Sequence, residues 1–189
     1  MNANKKKSLI IGAIVLGVIV IFVLLTTVGK LLFSKSITAE KLDDFKNVCY
    51  GNKIANAADY TNPKSAVIAS FYERPHSDDN PWKSFSGVGA PNVAEYSEFT
   101  KANVVACFEY QPFAGKELAR CEDDIKLMSA TYKTIFYEAK TGKKISEGKE
   151  IVNDDSTCPS TFVYDKTSRQ TAKQPTSDSM IKAITEFVQ

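Results

Sequence analysis

The chain has one histidine among its 189 residues. A single imidazole excludes the catalytic zinc sites that are built on two or three histidines. No Asn-x-Ser/Thr triplet occurs, so there is no acceptor for N-glycosylation. CxxC pairs, a G-x-S-x-G elbow, a P-loop and a dinucleotide fingerprint are all missing. An excess of one charge is missing too. The 24 Lys+Arg nearly balance the 22 Asp+Glu, and the net +2 carries no signature of a nucleic-acid binder. No acidic residue precedes Glu40.

That last absence marks a division in the chain. Lys5, Lys6, Lys7, Lys30 and Lys35 give the first 35 residues a charge of +5, which leaves 19 basic and 22 acidic residues in positions 36–189. Between the lysines, Leu9 to Val28 are 20 consecutive uncharged residues, all apolar or small except Thr26 and Thr27. At about 1.5 Å per residue such a helix spans about 30 Å, the thickness of a bilayer's hydrocarbon core. A soluble core helix of this length would show a polar face. A cleaved signal peptide would have a shorter apolar region and a small-x-small site; Thr27-Val28-Gly29 is a poor one, and Leu31-Leu32-Phe33 follows it. The expectation is an uncleaved single-pass anchor in the lipid bilayer through residues 9–28. Three lysines before the span and two after it orient the N-terminus to the cytoplasm and residues 36–189 outside. Ala13 and Gly17 form one small-xxx-small pair, a weak signal for helix association.

All four cysteines lie beyond the anchor: Cys49, Cys107, Cys121 and Cys158. An even number in that position points to disulfides in an oxidising compartment. Three connectivities are possible. One pairs Cys107 with Cys121 around a possible hairpin containing Pro112 and Gly115, leaving Cys49 for Cys158. Pairing Cys49 with Cys107 and Cys121 with Cys158 serves nearly as well.

The periodicities of residues 36–189 predict an α+β domain, an antiparallel sheet with a helix near each end. A first helix is expected over about Ala39–Cys49, capped by Thr38, with Leu42, Phe45, Val48 and Cys49 on one stripe and Gly51 ending it. Strands are expected over Ser65–Glu73, Asn103–Tyr110 and Ser160–Tyr164. Ser129–Ala139 and Lys144–Val152 flank Lys140-Thr141-Gly142-Lys143, a hairpin signal in which Gly142 can take positive φ. Arg74 to Asn92 and Thr167 to Gln174 read as loop. A closing helix begins near Pro175-Thr176-Ser177-Asp178 and carries Met180, Ile181, Ile184, Phe187 and Val188 on one face, which is expected to pack on the sheet.

Several short elements recur together in one known setting. They are Cys49-Tyr50-Gly51 with Ala57-Ala58-Asp59-Tyr60, Val104-Val105-Ala106-Cys107, Cys121, Glu138-Ala139-Lys140-Thr141-Gly142-Lys143 and Cys158-Pro159-Ser160-Thr161. In this order they resemble a small extracytoplasmic domain found in many bacterial membrane-anchored proteins, over roughly Val48 to Val188. The resemblance implies that the four cysteines form two disulfides and that the Lys140–Lys143 turn joins two strands. The family has no assigned activity, and it carries over no catalytic or ligand-binding residue.

Three features invite a chemical reading. His76 precedes Asp78 and Asp79, a set that can act as a general base or bind a cation weakly, although a solvated loop explains it better. Glu122-Asp123-Asp124 and Asn153-Asp154-Asp155 offer calcium-like oxygens, but neither matches an EF-hand loop and Asp-rich turns are common. Tyr72, Trp82, Phe85, Tyr96 and Phe99 surround a Pro/Gly-rich stretch and read as sheet core rather than as a recognition surface. No cofactor or metal is expected. The expected function is a non-enzymatic binding or envelope-assembly module with an unknown envelope protein or ligand as partner. The alternative is a membrane-tethered hydrolase using His76 and nearby acidic residues.

Overall fold

The computed structural model describes residues 34–77, 81–87, 90–112, 115–160 and 163–189. The expected span over residues 9–28, with Ala13 and Gly17, lies outside them. Among the described residues no helix is long and apolar enough to cross a membrane.

The strands are β1 Ser36–Ile37, β2 Lys53–Ile54, β3 Ile68–Glu73, β4 Trp82–Phe85, β5 Val104–Gln111, β6 Glu117–Arg120, β7 Lys126–Met128, β8 Ala130–Glu138, β9 Lys144–Glu147, β10 Ile151–Asn153 and β11 Gln170–Ala172. One α-helix, α1, covers Ser177–Val188, and a 3₁₀ helix covers Leu42–Val48.

The five residues Val104 to Phe108 are completely buried. A strand buried on both faces reads as a continuous apolar run rather than as an alternation, and β5 lies inside the main sheet. The strand order is β10-β8-β5-β3-β4, with β9 pairing along the other part of β8. Side chains of β3 and β5 alternate between two cores. Ala69, Phe71, Val105 and Cys107 meet Leu42, Phe45 and Val48 of the 3₁₀ helix on one face. Ile68, Val104, Ala106 and Phe108 join Tyr132, Phe136, Met180 and Ile184 on the other. The closing helix therefore packs on the sheet as its periodicity predicts. Its Thr176 side chain caps it by accepting from the Ser179 N–H at 3.2 Å, and Phe187 stacks on Phe136 with ring centroids 4.1 Å apart.

The sheet is mixed rather than antiparallel. β5 is antiparallel to β8, but it runs parallel to β3. The parallel pair follows from β4, which folds back on β3 as an antiparallel edge strand inside the stretch expected to be loop. The chain must then cross back before β5 begins. Another strand inside an expected loop, β11, lies within Thr167–Gln174 and runs parallel to β7, which pairs antiparallel with β6 in a small three-stranded sheet. Isolated polar residues pair there because their partner, not their own pattern, supplies the ladder. The expected strand over Ser160–Tyr164 does not form across Val163 and Tyr164, both exposed and outside any strand; residues 161–162 lie outside the description. The possible hairpin between Cys107 and Cys121 does not form among the described residues, where β6 pairs with β7 instead of β5.

The first helix is 3₁₀ and shorter than the expected Ala39–Cys49. Its apolar residues Leu42, Phe45 and Val48 fall at i, i+3 and i+6, the three-residue period of a 3₁₀ turn. Asp44, not Thr38, serves its start by accepting from the Glu40 and Lys41 N–H groups at 2.8 and 3.0 Å. Asn47 donates its side-chain amide to the Asp44 carbonyl at 2.8 Å, competing with α-helical bonding. The Lys140–Lys143 turn forms between β8 and β9, with Gly142 at φ 69°. A Cβ there would also come within 2.8 Å of the Asn52 carbonyl oxygen.

The disulfides are Cys49–Cys107 and Cys121–Cys158. Their closed loops have sequence separations of 58 and 37, for which the chain-entropy relation gives roughly 4 kcal/mol each as an upper scale. The first pins the end of the 3₁₀ helix to the buried β5, and the second ties the turn before β7 to the chain after β10.

Ile184 is 1% exposed in the core between α1 and the sheet. Replacing it with Ala is expected to lower unfolding stability by about 2–5 kcal/mol in denaturant titration, the scale of buried Ile truncations. A loss under about 0.5 kcal/mol would mean that α1 is not held through this face.

Candidate functional site

The C-terminal ends of β3 and β5 lie side by side because the two strands are parallel. Glu73 closes β3, and Tyr110 stands near the end of β5. The Tyr110 N–H donates to Glu73 Oε2 at 3.0 Å, which ties the two ends together. Beyond them a cleft of about 510 Å³ opens toward the small sheet, lined also by Ser129, Asp165, Ser168 and Gln170. His76 also lines it, with φ 58°, a left-handed conformation uncommon for a residue with a Cβ. Its ring lies edge-on to Tyr110, with centroids 6.2 Å apart.

Each titratable wall group has its own environment. Burial pushes the Glu73 carboxyl above its usual range; the Tyr110 N–H pulls it down and the nearby Glu109 charge pushes it further up. Burial likewise raises the Tyr110 phenol. Asp165 is held below the usual range, first by the Ser168 N–H and hydroxyl, then by the Thr167 N–H, with His76 adding a favourable charge. The two N–H groups donate to Asp165 Oδ1 at 2.6 and 2.9 Å and shape the turn that leads into β11. Behind the cleft, Tyr132 donates to the Lys173 carbonyl at 2.9 Å and Tyr72 to Gln174 Oε1 at 2.8 Å. Those bonds hold the chain after β11 against the main sheet.

His76 shares its cleft with two acids. Asp78 and Asp79 lie outside the described residues, whereas Glu73 and Asp165 line the same cleft. Tyr110 and Asp165 carried no local signal, since one sits within an ordinary strand and the other 89 positions beyond His76. Glu73 has a faint one, a carboxylate closing an otherwise apolar strand.

The two acidic runs are occupied by other work. Asp124 pairs with Arg120 at 2.7 Å, and the Arg169 guanidinium donates to the Asp123 carbonyl. Asn153 donates to the Gln174 carbonyl at 2.7 Å. Asp155 is held down to about 2 by the Lys173 ammonium and by Thr157. Among the described residues no group of three or more His, Cys, Asp or Glu gathers to hold a metal ion. Of the aromatic set, Tyr72, Trp82 and Phe85 are buried, Phe99 packs against the first core and Tyr96 is exposed at 57%. All four cysteines are oxidised, so none of them serves as a thiol nucleophile.

No family model, curated protein or solved structure matches this chain.

A carboxyl with a higher pKa folded than unfolded binds more protons in the folded state. Its contribution to stability therefore falls as pH rises through the interval between those two values. Glu73→Gln removes the charge and keeps an acceptor for the Tyr110 N–H. The variant is expected to melt above the wild type at about pH 8 and to lose that advantage at about pH 3, below the ordinary glutamate range. An unchanged difference in thermal melts at the two pH values would show that burial of the Glu73 charge is not its source.

Proposed function

We propose that this protein is a single-pass membrane protein whose disulfide-braced domain, residues 36–189, lies outside the cytoplasm as a non-enzymatic binding or envelope-assembly module. The observation that carries the reading is the pair of disulfides in a domain that follows 20 uncharged residues. Disulfides persist in oxidising compartments and are rare in the cytosol. An uncharged run of that length suits a bilayer, and the lysine excess before it suits a cytoplasmic N-terminus. The domain carries a net −3, with no general basic character that would draw it to nucleic acid. Its partner is an envelope protein or a ligand.

Thiol labelling in host cells tests the topology. With a membrane-permeant maleimide reagent, all four cysteines are expected to stay unlabelled until a reductant is added. Labelling of all four without reduction would place the domain in the cytosol and end this reading.

One observation favours a second reading, a membrane-tethered hydrolase. The cleft that holds His76 also holds Asp165, Ser129 and Ser168, the residue types of a nucleophile, base and orienting acid. Two of them already have structural duties: Ser129 Oγ accepts the Lys116 N–H at 2.9 Å, and Asp165 Oδ1 holds its turn. The binding reading is therefore preferred. His76→Ala separates the two. Against a panel of ester and amide substrates, any hydrolysis by the wild type is expected to be unchanged in the variant, whereas a His-dependent hydrolase would lose at least about a hundredfold.

A further inference from the structure

We propose that Cys121–Cys158 is a site of thiol–disulfide exchange, opened by a dithiol partner to loosen the small sheet while Cys49–Cys107 stays closed. The inference rests on the reading of the domain as an extracytoplasmic binding module and names a way of regulating it.

Access separates the two bridges. Cys107 is wholly buried in β5, and Cys49 packs against the same core at the end of the 3₁₀ helix. An attacking thiolate has to approach a disulfide sulfur directly, so it reaches this bridge only after Leu42, Phe45 and Val48 lift from the sheet. Cys158 is exposed in the chain between β10 and β11, and Cys121 is half-buried at the turn before β7. Among the described residues neither belongs to either apolar core. Exposed bridges of this kind are the ones that exchange.

The backbone around the exposed bridge is strained. Five residues other than glycine have positive φ among the described residues, and three of them meet here. Asp123 and Asp124 follow Cys121 with φ 55° and 59°, and Arg169 has φ 53°. The Arg169 guanidinium donates to the Asp123 carbonyl, which joins the two strained turns. Such conformations persist only where the surroundings hold them, and they gather at switches. The sheet beside them has little to hold it. β7 and β11 are three residues long each, and β11 has β7 as its one partner strand. Opening the bridge removes one of its fastenings, allows the Asp123–Asp124 turn to relax and returns freedom to a loop of sequence separation 37. β3, β5, β8 and α1 keep their packing, since the bridge touches none of it.

The exchange balances within the dithiol. One thiolate of the reductant attacks Cys158 Sγ, forming a mixed disulfide and releasing the Cys121 thiolate, which takes up a proton. The second thiol of the reductant then displaces Cys158, and the reductant departs as its own disulfide. Two electrons and two protons pass to the bridge. Both bridges are closed at rest, in keeping with the thiol labelling expected in cells.

The test treats the full-length protein in detergent micelles with dithiothreitol, traps the thiols with N-ethylmaleimide at successive times and maps the label by peptide mass spectrometry. Cys121 and Cys158 are expected to be labelled at least about tenfold faster than Cys49 and Cys107. In the singly reduced protein, amide hydrogen exchange is expected to quicken about tenfold or more across Gln170–Ala172 and to stay within about twofold of the oxidised protein across Val104–Phe108. The double variant Cys121→Ser, Cys158→Ser should reproduce that pattern without reductant. The wild-type measurement decides the matter even where the variant fails to fold. The proposal is overturned if the two bridges open at the same rate, if Cys49–Cys107 opens first, or if β11 exchanges equally fast with the bridge open and closed. Lost selectivity in micelles with the expected labelling in cells removes the switch and leaves the tether standing; labelling of all four cysteines in cells without reductant removes the compartment, whatever the micelles show.

Discussion

A strand that buries every residue from Val104 to Phe108 has to be covered on both faces, and in this domain two different elements do the covering. The 3₁₀ helix supplies Leu42, Phe45 and Val48 on one side, while α1 supplies Met180, Ala183 and Ile184 on the other. A seven-residue 3₁₀ helix has poor hydrogen-bond geometry and little stability of its own. Cys49–Cys107 compensates by fastening it covalently to the strand that it protects. The rest of the sheet is arranged around that pinned layer, with β3 and β8 flanking β5 and the edge strands outside them.

The same arrangement makes the cleft. Because β3 and β5 are parallel, their carboxyl ends emerge together, and Glu73 and Tyr110 become neighbours. The small sheet then brings Asp165 across from a distant part of the chain, and Cys121–Cys158 closes that second layer from the side. The two bridges differ in setting. Cys107 is wholly buried, whereas Cys158 is exposed in the chain between β10 and β11. One braces the core, and the other braces the wall of a recess.

Periodic elements with strong local chemistry were legible in the chain. The closing helix announced itself by Met180, Ile184 and Phe187, and the β8–β9 turn by Gly142, whose positive φ an L side chain would resist. β4 and β11 were not legible. Trp82–Phe85 sits among prolines and glycines, and Gln170-Thr171-Ala172 is short and polar, so each becomes a strand only because a neighbour offers an open edge. His76 was legible as the chain's one imidazole, but that Asp165 lines the same cleft was not, because 89 positions separate them.

The sequence by itself determined a division of charge, a 20-residue uncharged run, four cysteines beyond it and an α+β succession of elements, since these depend on composition and local periodicity. It left open which cysteines pair, which strands are parallel and which carboxylates share a cleft. Those are decided by contacts between residues tens of positions apart, where chain closure and packing on β5 select one arrangement from several that local pattern permits equally well.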